Sequence, residues 1–164
     1  METIFIVAFI FSCILVLYLY KNKSNYLITA LPLFVLASHQ LEEYVLSPLM
    51  FGDKYHFLEW AFRSGVNISP IEVTTINSVP YFLLPLLFLL KPSTKIFSIL
   101  FLFNSSLLLS NGMFHIGLAT AQTDYSPGMV TSLFMYIPLY IKSLYLASER
   151  SLPMRGQIAI TIYG

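Results

Sequence analysis

The chain has 164 residues, 57% of them hydrophobic and only 10% charged, with a net charge of +1 and a mean hydropathy of +0.74. Soluble domains are about a quarter charged, so this composition excludes a soluble globular protein and predicts an integral membrane protein. The small net charge excludes a nucleic-acid partner or an acidic tail, and one cysteine, Cys13, inside an apolar run excludes a disulfide framework or a thiolate metal cluster.

At about 20 residues per span, the length accommodates an all-α, polytopic membrane helix bundle of about five transmembrane helices, with no room for a separate soluble domain. The first span covers about 3–20. It has an acidic start, Glu2, and no small-x-small cleavage site, so it reads as retained and not as a signal peptide. The connector 21–25 follows, completing an N-terminal unit over 1–25. The second span runs over about 26–46 and is followed by a polar stretch, Ser47 to Pro70, long enough to form a lid or an interfacial helix. Trp60 in that stretch suits a headgroup position.

Ser69-Pro-Ile-Glu72 has the grammar of a helix start: an N-cap serine, a first-turn proline and a capping-box glutamate. It opens a third span that runs to about Leu90, with Pro80 and Pro85 inside. The fourth span covers about 96–119. The fifth, at about 128–147, opens at Asp124-Tyr-Ser-Pro-Gly128 with Ser126 as N-cap, and completes a four-helix membrane domain over 26–147. Residues 148–164 read as a cytoplasmic tail.

The second span carries three ionisable groups where hydrocarbon is expected, His39, Glu42 and Glu43. A charge at the bilayer centre costs roughly 3 kcal/mol on insertion scales, so such groups face the protein interior and have a partner or a task. At about 100° per residue, Glu42 and Glu43 flank His39 on one helix face. On the fourth span Asn104, Asn111 and His115 form one polar stripe, and Asn77 is the strongly polar interior residue of the third. With the N-terminus outside, the cytoplasmic segments hold Lys21, Lys23, Lys91, Lys95, Lys142, Arg150 and Arg155, and the exterior ones only Lys54 and Arg63, as the positive-inside rule requires. At ~1.5 Å of rise per residue, His39, Glu42, Glu43, Asn77, Asn111 and His115 then all lie within about 14 Å of the outer helix ends.

The run His39-Gln-Leu-Glu42-Glu43, with Asn111-Gly-Met-Phe-His115 and Tyr125-Ser-Pro-Gly-Met-Val-Thr131 further on, resembles the bacterial membrane proteins named for their HXXEE motif. The resemblance implies a multi-span domain in a bacterial cell membrane and marks His39, Glu42, Glu43, Asn111 and His115, but implies no substrate.

The residue chemistry goes further. Two imidazoles and a carboxylate make a three-ligand site for a divalent metal, zinc first, with a position left for water. His39, His115 and one glutamate of the doublet, written here as Glu43, are the expected ligands. The angular offsets of Glu42 and Glu43 from His39 are nearly symmetric, so either can be the ligand and the other the general base, and Asn77 and Asn111 are expected to orient ligands or polarise a carbonyl. The expected activity is metal-dependent hydrolysis of a peptide or lipid, with membrane lipid as the surrounding partner. The alternatives are a proton- or ion-coupled transporter, a metal-free lipid isomerase, and a structural polar network.

Overall fold

The computed structural model describes residues 2–164, apart from the side chain of Ile76. Its described residues are helical and irregular, without strands. Helix α1 is Glu2–Lys21, and α2 is Leu27–Leu41. A π-turn at Glu42–Leu46 joins α2 directly to the short α3, Ser47–Phe51. After a 3₁₀ turn comes α4, Phe57–Arg63, and then α5, Pro70–Leu89, and α6, Lys95–Gln122. The last span is a single run built from α7 (Met129–Thr131), a second π-turn (Ser132–Tyr136) and α8 (Ile137–Glu149), and is followed by α9, Met154–Tyr163.

Four segments are long and apolar enough to cross a membrane: Glu2–Lys21, Pro70–Leu89, Lys95–Gln122 and Met129–Glu149. The remaining expected span is the continuous run from α2 into α3, whose regular helix is interrupted by the π-turn. Helix α1 buries only Ser12 and leaves Ile4, Val7, Phe11, Ile14 and Leu17 exposed along its length. Water would penalise such an apolar surface, whereas hydrocarbon does not.

Both π-turns have the same local cause. Pro48 and Pro138 each lie two residues beyond a π-turn. A proline lacks an N–H and its ring collides with the carbonyl four residues earlier, here Tyr44 and Phe134, so the chain widens upstream to relieve the clash. Glycine allows the second of these distorted helices to seat on α6. A Cβ on Gly112 of α6 would fall 2.8 Å from the Tyr136 ring and 3.1 Å from Ser132 Cβ.

The core consists of Val35, Leu36, Leu84, Leu87, Phe97, Phe101, Leu108, Tyr136 and Leu139 from four helices. A second cluster, Tyr44, Phe57, Trp60, Ala61 and Val73, roofs the end of the bundle that carries the motif. Trp60 is therefore buried and not at a headgroup position: the connector folds inward, and its apolar face covers Tyr44. The start of α5 follows the sequence reading, with the Ser69 and Glu72 capping box present. The start of the last span does not. Gly128, at φ 90°, precedes Met129, and Ser126 is buried elsewhere. Residues 154–163 are not a trailing segment, because α9 packs on α6 and Tyr140 hydrogen-bonds Thr161 at 2.9 Å.

Candidate functional site

At Glu42 the first π-turn begins, and the two glutamates of the motif part company there. Glu42 turns toward the last span. Its carboxylate accepts from the Tyr125 hydroxyl at 2.6 Å, from the backbone N–H groups of Val130 at 3.0 Å and Thr131 at 2.7 Å, and from the Thr131 hydroxyl at 2.6 Å. It thus caps the start of α7 from a different helix, where the helix dipole also favours negative charge. Four donors saturate it, so it is not available as the general base that its position on the His39 face suggests.

Glu43 turns instead toward α6. Its Oε1 lies 3.4 Å from His39 Nε2 and 3.0 Å from His115 Nε2, and its Oε2 has no hydrogen-bond partner. Both histidines are fully buried and Glu43 is 1% exposed. The ligand atoms of His39, Glu43 and His115 all lie within 4.8 Å of one another, close enough to share one ion.

The surroundings set the tautomers. The Thr131 hydroxyl gives its hydrogen to Glu42, so its oxygen accepts from His39 Nδ1–H at 2.9 Å. The Nε2 lone pair of His39 then points into the cluster, where the Asn111 amide donates to it at 3.1 Å. His115 pairs through Nδ1 with the buried Ser126 hydroxyl at 3.2 Å, and its Nε2 has no hydrogen-bond partner despite facing Glu43. Lone pairs on nitrogen and carboxylate oxygen repel across such a gap unless a cation, a proton or a metal ion, lies between them. The donor set is one that divalent metals of the borderline class prefer.

Gly128 makes this packing possible. It adopts a left-handed backbone, and a Cβ there would fall 2.5 Å from His39 Cε1 and 3.1 Å from Glu43 Cγ. The residue is constrained both by its φ and by the side chains it must clear.

A half-open cavity of about 300 Å³ reaches Glu43. Phe57, Val73, Leu107 and Phe114 form its apolar wall, while Asn77 and Asn111 provide amides. Asn77 thus shares the cavity with Glu43, though it touches neither histidine. Asn104, the remaining member of the α6 stripe, is fully buried, and its amide has no partner among the described residues. His56 sits outside the cluster, its ring 5.3 Å from Tyr44, and Asp124 accepts from Tyr55 and from the Tyr125 backbone.

Sequence reading gave no role to Thr131, Tyr125 or Gly128 and made Ser126 only a helix cap, although all four lie in the Tyr125–Thr131 block. Hydroxyls and glycine in a turn are ordinary turn chemistry, and only their contacts with His39, Glu42 and His115 distinguish them. Tyr136 touches the site too: its ring is 4.6 Å from that of His39, and its buried hydroxyl has no partner.

The sequence model described as "Protein of unknown function with HXXEE motif" matches residues 28–142 of this chain. No curated protein and no solved structure matches it.

Proposed function

The chain belongs to the family of proteins of unknown function with an HXXEE motif, and from the site this motif builds we propose a membrane-embedded, divalent-metal-dependent hydrolase acting on a lipid or an apolar peptide. The observation that carries the reading is the buried trio His39, Glu43 and His115, with ligand atoms within 4.8 Å of one another and with Glu43 Oε2 and His115 Nε2 lacking hydrogen-bond partners. Zinc fits this donor set best; Glu43, His115 and, with the Asn111 amide displaced from its Nε2, His39 would hold it. When bound, such an ion polarises a carbonyl and makes water more acidic.

The protein's own groups do the rest. Glu43 Oε2 is the remaining acceptor for a proton from water, which makes Glu43 both ligand and base. Glu42 acts through others: its pull on the Thr131 hydroxyl fixes the His39 tautomer, so it is a positioning residue. Asn111 and Asn77 orient a substrate carbonyl in the cavity, and the phenylalanine, valine and leucine wall favours an apolar chain beside it. The distribution of cations supports an exterior N-terminus and a site in the outer half of a bacterial cell membrane.

The test is to quantify metal in the protein purified in detergent after growth with zinc. About one ion per chain is expected, and His39→Ala with His115→Ala should remove it; wild type without metal ends the proposal. The contact of Glu43 with both imidazoles favours one second reading, a proton relay for metal-independent isomerisation of a lipid. It predicts activity that survives chelation.

A further inference from the structure

The opposite end of the bundle holds a second and larger cavity, of about 610 Å³. Lys91 from the α5–α6 connector and Lys142 and Arg150 from the last span line it, with Asn25, Tyr26 and Ser93 as further donors. No carboxylate lines it, and the ion pairs of the described residues both involve Glu43. Arg150 Nε is buried and has no hydrogen-bond partner. About 16 Å and 28 Å of helix rise separate Lys142 and Arg150 from Thr131, so the cavity is distinct from the histidine and glutamate cluster.

Three cations, one from the α5–α6 connector and two from the last helical run, repel one another unless an anion joins them. Positive charge that served only to orient the protein in the membrane would not need to converge on one cavity or bury a guanidinium nitrogen. Ile28 and Leu146 add an apolar part to its lining. We propose that it binds the phosphate of an anionic phospholipid headgroup, with the lipid's acyl chains running down beside Ile28 and Leu146. Lys91, Lys142 and Arg150 neutralise the phosphate, and the Asn25 and Ser93 side chains donate to its oxygens. The apolar part of the lining favours a lipid over free phosphate.

The test uses the full chain in a neutral, non-ionic detergent, titrated with phosphatidylglycerol, phosphatidylcholine or inorganic phosphate and read by native mass spectrometry and thermal shift. Phosphatidylglycerol should be retained and should raise the melting temperature. Lys142→Gln with Arg150→Gln should weaken it at least about tenfold, and Lys142→Arg with Arg150→Lys should keep it within about threefold. Lys142→Gln alone, at an exposed side chain, should show a smaller loss and covers the case in which the double variant fails to fold. Lys21→Gln with Lys23→Gln, at the same end but outside the cavity, should bind as wild type. Equal retention of phosphatidylcholine, an equal loss in the Lys21 and Lys23 variant, or binding of inorganic phosphate without retention of the lipid would each overturn the proposal.

Discussion

Adjacent in the chain, Glu42 and Glu43 occupy two regions that treat a buried carboxylate in opposite ways. Around Glu42 four donors converge and every lone pair that matters is used. Around Glu43 there are two imidazole nitrogens and an oxygen with no partner. The first region holds helices together; the second keeps a valence open. A motif read only as a string of acids conceals this division of labour, because both acids are equally expensive to bury.

The comparison can be broken most decisively at Glu42. Glu42→Ala leaves the backbone N–H groups of Val130 and Thr131 facing a void, while the Tyr125 and Thr131 hydroxyls keep only Ser47 and the Gly128 carbonyl, and unpaired buried donors cost about 1–3 kcal/mol each. A loss of at least about 3 kcal/mol is expected, visible as a collapse of the melting transition in detergent. A melting temperature like that of wild type would show that the cradle carries no energy. Next is Gly128→Ala, which adds about 1–2 kcal/mol of left-handed backbone strain and drives a methyl group into His39. It should lower both stability and bound metal, and a variant that keeps full metal would mean that His39 can be displaced without consequence.

Tyr125→Phe removes one of the four donors and should cost about 1 kcal/mol. Burial, and then the hydrogen bond to Glu42, raise the Tyr125 pKa above its ordinary value of 10. A raised folded-state pKa means that this contribution is complete below about pH 10 and is lost as pH climbs toward the folded-state value. Wild type should therefore lose stability above about pH 10 more steeply than the phenylalanine variant, and parallel pH profiles would exclude that linkage. Glu43→Gln should have the smallest effect on folding, within about 0.5 kcal/mol of metal-free wild type, because an amide of the same shape keeps the contact with the two imidazoles and Oε2 has no partner to lose. Its consequence should fall on metal content. A strongly destabilised Glu43→Gln protein would erase the contrast between the two regions.

That His39, His115 and a glutamate of the motif meet was legible in the sequence, because helical spacing and hydropathy constrain buried polar groups strongly. His39 and Glu43 are one turn apart, and His115 heads an inward stripe on another helix. The division between Glu42 and Glu43 was not legible, since their offsets from His39 on an ideal helix are nearly symmetric. Proline two residues past each π-turn was the available signal, but proline within a span has several outcomes, among them a kink, a bulge and a regular turn. Trp60 misled for a related reason: an aromatic residue in a polar connector suits an interface as well as a fold-back onto Tyr44, and only packing decides between them.

Composition and spacing alone determined an all-helical chain with segments able to cross a membrane, the capping box at Ser69, and the residue types that meet in the polar site. These follow from local rules: hydrocarbon length, helical periodicity and cap chemistry. Tertiary structure alone decided that Glu42 caps a distant helix, that Thr131 sets the His39 tautomer, that Gly128 must lack a side chain, and that α9 folds back onto α6. Each of these depends on which atoms from remote parts of the chain compete for the same buried space and the same lone pairs.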